Sequence, residues 1–154
     1  MIGIKRYVVG FMFDYTLNKV VLIRKDRPEW QKGKLNGVGG KVEENESPYD
    51  AMPREFREET GIETSGWKLF SILCFGDIGI PGSLSEVYCY WILGDVSKPR
   101  SVTSEQIVVI NVESLTSRED AIPNIRWLVQ MARSMSLGET ATYFDIYERK
   151  VWQN

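Results

Sequence analysis

Three glutamates stand close together in residues 54–59, which read Arg-Glu-Phe-Arg-Glu-Glu. On an α-helix, where each residue turns by about 100°, Glu55, Glu58 and Glu59 share roughly 100° of one face. Like charges at these spacings destabilise an isolated helix by about 0.2–0.5 kcal/mol per pair. Carboxylate oxygens are the ligands that Mg²⁺ prefers, so the trio indicates a site for divalent cations. For this segment taken alone, the alternative is an acidic, solvated helix face that Arg54 partly balances.

The residue types that the chain lacks narrow the chemistry further. There is no histidine among the 154 residues, which excludes Ser-His-Asp and Cys-His mechanisms and removes the commonest zinc ligand. The two cysteines, Cys74 and Cys89, lie apart in apolar, strand-like segments, where we expect buried thiols rather than a disulfide or a metal site. Hydrolytic chemistry must therefore rest on carboxylates, lysines, arginines or hard metal ions.

The charges are unevenly distributed along the chain. The net charge is −2, which argues against broad nucleic-acid binding. Residues 19–34 nevertheless carry a local excess of basic side chains, and residues 40–62 carry an excess of acidic ones. A basic strip beside an acidic cluster suits a polyanion held by protein cations on one side and metal ions on the other. A solvated surface of mixed charge explains the pattern equally well.

The segment around the glutamate trio carries the end signals of a helix. Ser47 before Pro48 is typical of an N-cap followed by proline at the first helical position. Gly61 is a natural left-handed C-cap, so we predict a helix over 48–60. Pro53 falls inside it, where proline removes a backbone hydrogen bond. We therefore expect either a kink just before Pro53 or a later helix start.

The remaining pattern alternates strands with a second helix. Residues 123–136 have apolar side chains at helical spacing and predict an amphipathic helix that ends before Gly138. Apolar and β-branched runs predict strands over 4–13, 20–23, 67–76, 85–93, 105–112 and, at one edge, 141–148. Turns are expected in residues 26–37, at Gly39-Gly40 and around residues 80–82. Strands interleaved with two helices indicate an α/β or α+β sandwich.

Residues 40–62 resemble the signature of the Nudix hydrolases. That signature reads Gly, five residues, Glu, seven residues, Arg-Glu, an apolar residue, any residue, Glu-Glu, any residue, Gly and an apolar residue. The matching positions, with the spacing intact, are Gly40, Glu46, Arg54, Glu55, Phe56, Glu58, Glu59, Gly61 and Ile62. The resemblance implies the Nudix fold, an α/β/α sandwich with a mixed central sheet and two main helices.

The same resemblance implies roles for the matched positions. Glu55, Glu58, Glu59 and the Gly40 carbonyl would hold Mg²⁺, with Mn²⁺ as an alternative, and the metal would activate a water that attacks phosphorus. Arg54 would orient Glu55. The general base varies across the family, so the candidates for it are Glu55, Glu58 and Glu105. Glu105 is expected either to face the metals, as ligand or base, or to be an exposed residue at a strand end.

Residues 33–43 are similar to the entry of this box in MutT-like enzymes that hydrolyse nucleoside triphosphates. Lys41 is a candidate contact for the departing phosphate. Arg24, Lys25 and Arg27 are further candidate phosphate contacts, with an ordinary charged surface as the alternative for these three. Asn124 falls near a position where some MutT-like enzymes read the base; a simple helix cap or turn explains it equally well. The aromatic residues Trp30, Tyr88 and Trp91 more often serve packing than base stacking.

The expected function is Mg²⁺-dependent hydrolysis of a nucleoside triphosphate, with or without a modified base, to the monophosphate and pyrophosphate. The alternatives are ADP-ribose, a nucleotide sugar or a capped RNA end; Pro81 lies a few residues late for the ADP-ribose pattern. A non-catalytic, nucleotide-sensing Nudix module is disfavoured because the box retains its carboxylates.

The chain as a whole, residues 1–154, is expected to be one domain with a small-molecule nucleotide as its partner. Since no window approaches the ~20 apolar residues that span a bilayer and no signal peptide is evident, we expect a cytoplasmic protein without nucleic-acid or membrane partners. Homo-oligomerisation is left open.

Overall fold

The computed structural model describes residues 3–76 and 83–138 and, for the backbone alone, residues 146–149. The strands are β1 (Ile4–Phe13), β2 (Lys19–Arg24), β3 (Leu35–Asn36), β4 (Val38–Lys41), β5 (Lys68–Gly76), β6 (Leu84–Leu93), β7 (Gln106–Asn111) and β8 (Ile146–Arg149). The helices are α1 (Pro48–Thr60), α2 (Val112–Leu115) and α3 (Pro123–Ser136), with one 3₁₀ turn at Glu29–Gln31. The predicted turn at residues 80–82 and the first part of the predicted edge strand, residues 141–145, lie outside the described residues.

The strands form one mixed sheet organised around β1. β1 runs parallel to β6 over its whole length, from Ile4 opposite Leu84 to Phe13 opposite Leu93. On its other side, β1 pairs antiparallel with β4 near its start and with β2 near its end. β5 and then β8 continue the sheet beyond β6, and β3 and β7 both pair with β2. The sheet therefore opens between β4 and β2, because β1 exchanges one partner for the other.

Two apolar clusters lie on opposite faces of this sheet. On one face, side chains of β1, β5 and β6 pack against α3, whose buried residues include Ile125 and Leu128. On the other, β1 and β6 pack against Met52 and Phe56 of α1. The predicted α/β/α sandwich with a mixed sheet is therefore confirmed. The box helix, α1, packs on one face of the sheet and α3 packs on the other. None of the described helices is long and apolar enough to cross a membrane.

The structure decides between the two expectations for the box helix. The Ser47 hydroxyl accepts a hydrogen bond from the Asp50 amide, and Gly61 adopts the left-handed conformation with φ 74°. α1 begins at Pro48 and continues through Pro53, so the later helix start was wrong. The cost of an interior proline is offset by the burial of the apolar face of the helix against the sheet.

The seventh strand ends earlier than its apolar run predicts. Residues 105–112 were expected to be extended, but β7 stops at Asn111 and a one-turn helix begins at Val112. Val112 and Leu115 are fully buried beside α3. The Val112 amide also donates to the Asn18 carbonyl, so tertiary contacts, rather than β-propensity, set the end of this strand.

Candidate functional site

The Glu55 carboxylate lies directly against Gly40 where β4 passes the box helix. A Cβ added to Gly40 would lie 2.5 Å from Glu55 Cδ and 2.7 Å from its Oε1. Only a residue without a side chain leaves room for the carboxylate in this position. Gly39 has a different neighbour, because an added Cβ there would lie 2.8 Å from the Val8 carbonyl carbon. The glycine pair is therefore part of a strand and not a turn: one member faces β1 and the other faces Glu55.

Arg54 connects the acids of the box. Its Nη1 donates to Glu55 Oε1 at 2.9 Å and to Glu58 Oε2 at 3.2 Å. Its Nε and Nη2 donate to the two Glu46 oxygens at 2.7 and 2.8 Å, and Nη2 also donates to the Lys41 carbonyl at 3.1 Å. These hydrogen bonds raise the pKa of Arg54 and lower that of Glu46. The guanidinium thus positions Glu55 and ties the helix to the end of β4.

The three glutamates differ in their surroundings. Burial raises the pKa of the Glu55 carboxyl; Arg54 opposes this rise, and the nearby Glu58 and Glu59 charges add to it. The Glu58 side chain is 50% exposed. Glu59 turns away to accept a hydrogen bond from the Thr103 hydroxyl at 2.8 Å. Within the described residues, no three acidic side chains are already spaced to hold a metal ion.

The donor chemistry of this cluster nevertheless fits a hard divalent cation. Carboxylate oxygens dominate it, and burial raises the pKa of Glu55, with a smaller contribution from the Glu58 and Glu59 charges. A bound cation would offset both effects. The close approach of Glu55 to Gly40 keeps one carboxylate beside the backbone of β4. For all three glutamates to serve one site, Glu58 must leave Arg54 and Glu59 must leave Thr103.

A cavity of about 1040 Å³ extends from Gly40 between the sheet, the loop after β2 and the start of α3. Its floor is apolar, formed by side chains of β1, β5 and β6, and α3 adds a further apolar wall. The apolar lining residues include Val9, Leu73, Phe75, Val87, Ile122, Ile125 and Leu128. A concave, largely apolar cavity with a few polar groups is the usual form of a small-molecule site.

Five cations and no acidic side chain line this cavity among the described residues. They are Lys5, Lys25, Arg27, Lys34 and Lys41. Three of the cations predicted to contact phosphate, Lys25, Arg27 and Lys41, are therefore brought to one cavity with Asn124, and Arg24 is not.

The NUDIX domain family matches residues 4–130. The chain belongs to the Nudix family. No curated protein has a significant sequence match to it.

Solved structures of Nudix proteins share the fold at low sequence identity. MutT NUDIX hydrolase from Burkholderia pseudomallei is 19% identical, with a TM-score of 0.70 over 84% of this chain and 98% of that one. The NUDIX domain of Shewanella oneidensis NrtR, complexed with ADP ribose, is 17% identical, with a TM-score of 0.71 over 87% of this chain and 89% of that one. MutT protein from Methanosarcina mazei Go1 is 18% identical, with a TM-score of 0.65 over 86% and 95%. The family and the fold together support the prediction of a Nudix pyrophosphohydrolase.

Glu105 is buried, so the predicted alternative of an exposed strand-end residue was wrong. It is 7% exposed, and it lies just before β7 rather than in it. Its Oε2 accepts from Lys25 Nζ at 2.6 Å and its Oε1 from the Asp26 amide at 2.8 Å, with a longer contact to the Arg27 amide at 3.4 Å. Glu105 is thus not an exposed strand-end residue, and in this structure its carboxylate anchors the loop that carries two of the cavity cations.

Arg24 lies outside the cavity lining. Its guanidinium donates to the Gly33 carbonyl at 2.7 Å and to Asp120 Oδ2 at 3.2 Å. Arg118 donates to the same carboxylate and, with Arg24, lowers the pKa of Asp120 to about 2. Arg24 therefore fastens the loop after β2 to the segment before α3.

Asn124 lines the cavity at the start of α3, and its Oδ1 is buried without a hydrogen-bond partner among the described residues. Sequence reasoning missed two further amides, Gln31 and Asn36. Asn36 accepts from the Gly37 amide at 2.7 Å and donates to Gln31 Oε1 at 3.0 Å. The Asn-Gly pair was the available signal, but it was interpreted as a turn. Of the three aromatic candidates, Trp30 alone is a cavity residue in the described part of the chain.

Proposed function

We propose that this Nudix protein hydrolyses a nucleoside triphosphate to the monophosphate and pyrophosphate with Mg²⁺. The observation that carries the proposal is the position of Glu55, which Arg54 holds against Gly40 at the edge of a cationic, apolar-floored cavity. A metal cluster beside such a cavity suits a substrate with a charged phosphate chain and an apolar base. The two thiols, Cys74 and Cys89, are not joined in a disulfide, which supports the proposed cytoplasmic location.

Glu55, Glu58, Glu59 and the Gly40 carbonyl are the proposed metal ligands. A divalent cation bound there would neutralise phosphate charge and lower the pKa of a water molecule. Arg54 acts as a positioning residue, because it fixes Glu55 through one guanidinium nitrogen and the Glu46 loop through the others.

Three acids remain candidates for the group that accepts the proton from the attacking water. Both Glu105 oxygens are used by the segment 25–27. Arg54 donates to Glu55 and to Glu58, so the exposure of the two side chains distinguishes them. Glu58, at 50% exposure, is the most open to water. We therefore favour Glu58, with Glu105 as a support of the substrate loop.

The cavity provides separate surroundings for the two ends of a nucleotide. Lys41 follows Gly40 directly and Arg27 lies on the opposing loop, so both are placed to contact phosphates beside the metal site. The apolar floor and the wall of α3 suit a base. The buried Oδ1 of Asn124 is an acceptor that an amino or imino group of the base would satisfy.

ADP-ribose hydrolysis is a second candidate. The domain with the TM-score of 0.71 was solved with ADP ribose, and a cavity of about 1040 Å³ has room for a ligand of that size. Both reactions cleave a diphosphate linkage, so the metal residues serve either substrate. The products differ, because ADP-ribose yields two monophosphates and a triphosphate yields pyrophosphate.

The test is turnover of a panel of nucleoside triphosphates, ADP-ribose and nucleotide sugars with Mg²⁺, with products resolved by chromatography. We expect Glu58→Gln to lower kcat by about two to four orders of magnitude with an unchanged circular dichroism spectrum. Glu63→Gln is the matched control, since Glu63 is 77% exposed and pairs with Arg57 outside the site. No turnover of any compound, or equal rates for Glu58→Gln and wild type, would refute the proposal.

A further inference from the structure

The cavity contains cations to which the proposed function assigns no contact. Lys25 is paired with Glu105, at 2.6 Å. Lys5, Arg27, Lys34 and Lys41 line the same cavity, and none of them forms an ion pair within the part of the chain that the structure describes. Lys41 and Arg27 are already assigned to the 5′ phosphates of the proposed substrate. The remaining cations have no counterpart in the proposed reaction.

Lys5 differs from the loop cations because it belongs to the sheet. It is directly opposite Ser85 in the parallel pairing of β1 with β6, so the two Cα atoms lie about 4.8 Å apart across neighbouring strands. Both side chains line the cavity. Neither the Lys5 ammonium nor the Ser85 hydroxyl has a hydrogen-bond partner among residues 3–76 and 83–138. An ammonium beside a hydroxyl offers an anion two kinds of donor.

The position of this pair separates it from the metal site. Gly40 is opposite Val8 in β1, and Lys5 lies three residues before Val8, which is about 10 Å along the strand. The row between them is formed by Tyr7 and its neighbour Val87, and both line the cavity. An aromatic and apolar row suits a nucleoside and does not suit a continuing chain of phosphates. Val8 packs on the α1 side of the sheet, whereas Lys5, Tyr7 and Val87 lie on the α3 side because side chains alternate along a strand. The Lys5–Ser85 pair therefore lies on the α3 side of the cavity, which Gly40 borders at β4.

We propose that Lys5 and Ser85 form a second anion site, which binds a phosphate monoester on the ribose of the substrate. This inference rests on the proposed function and narrows its substrate class to nucleotides phosphorylated on the 2′ or 3′ hydroxyl as well as on the 5′ chain. The 5′ phosphates lie at Gly40 and the metal ligands, the nucleoside lies over Tyr7 and Val87, and the ribose phosphate reaches the Lys5–Ser85 pair.

The test compares kcat/KM for adenosine and guanosine 5′-triphosphates with kcat/KM for their 3′-phosphorylated forms. Wild type should favour the 3′-phosphorylated form by about tenfold or more, the effect expected of one charge-assisted hydrogen-bonded contact. Lys5→Gln should reduce that ratio to near one, and Ser85→Ala should reduce it in part. Lys98→Gln is the matched control, because Lys98 is 66% exposed and pairs with Asp95 away from the cavity.

Two further measurements separate the possible failures. Adenosine 5′-tetraphosphate has a longer 5′ phosphate chain and no ribose phosphate. If its kcat/KM exceeds that of the triphosphate by as much as the 3′-phosphorylated form does, and Lys5→Gln removes that increase, Lys5 binds a phosphate of the 5′ chain and the inference is overturned. Binding of adenosine 3′,5′-bisphosphate relative to AMP, measured by calorimetry, needs no hydrolysis. A preference that Lys5→Gln removes supports the second site even if no triphosphate is cleaved. Equal ratios in wild type and Lys5→Gln in both assays would overturn it.

Discussion

Replacing Gly40 with alanine perturbs the metal site through a single methyl group. The new Cβ would lie 2.5 Å from Glu55 Cδ and 2.7 Å from Glu55 Oε1. Ordinary carbon contacts begin near 3.5 Å, so the carboxylate must retreat by about 1 Å. Gly40 does not have a positive φ, which means that alanine introduces no backbone strain and that the effect falls on Glu55.

The expected consequence is a large loss of activity with a small change in stability. A displacement of about 1 Å in a reacting group can cost on the order of 100-fold in rate. Glu55 cannot move freely, because Arg54 holds its Oε1 at 2.9 Å and the side chain is 13% exposed. The gain in strand propensity from glycine to alanine, about 0.5–1 kcal/mol, partly offsets the steric cost to folding.

The assay is pyrophosphate release over a range of Mg²⁺ concentrations, together with thermal unfolding. Gly40→Ala should lower kcat/KM by about 100-fold and require more Mg²⁺ for half-maximal rate. Gly3→Ala is the control, since nothing lies within 4 Å of an added Cβ there. If Gly40→Ala retains wild-type kcat/KM and Mg²⁺ dependence, the contact between Glu55 and Gly40 does not define the active arrangement.

Two further predictions concern the supports of the cavity. Glu105→Ala should lower the free energy of unfolding by about 2–3 kcal/mol, because the buried Lys25 ammonium loses its partner, and it should speed trypsin cleavage within residues 25–34. Glu113→Ala is the control, because the Glu113 carboxylate is 78% exposed. An equal loss of stability in Glu113→Ala would argue against the anchoring role of Glu105. Arg118 and Arg24 hold the pKa of Asp120 at about 2, below its usual 3.8, so its stabilising effect is complete above pH ~4 and fades as the pH falls towards 2. Asp120→Asn should therefore lower the free energy of unfolding, measured with urea at pH 7, by about 1 kcal/mol after allowance for solvent screening. An undiminished difference at pH 2 would contradict this assignment.

The sequence by itself determined the local parts of the site. Ser47, Pro48 and Gly61 predicted both ends of α1 correctly, since caps depend on a few neighbouring residues. The spacing of the box predicted the family that residues 4–130 match. The apolar and β-branched runs predicted most strands to within one or two residues, because β1 and β2 are buried on both faces and so have few polar positions.

Only the tertiary structure decided which partner each charged side chain takes. Glu105 pairs with Lys25 across 80 residues, and Glu59 bonds Thr103 across 44. Such pairings depend on the packing of distant elements and on competition between acceptors of similar strength. Neither can be predicted from the spacing of residues in the sequence. For the same reason, Arg24 was expected at the substrate and instead fastens a loop to Asp120.

The cavity is likewise a product of strand register rather than of any motif. Lys5 and Ser85 become neighbours because β1 and β6 pair in parallel with no offset along their length. A shift of one residue in that pairing would turn one of the two side chains to the opposite face of the sheet. The short sequence around each of them contains no sign of the other, since sheet pairing between distant strands is set by the whole core.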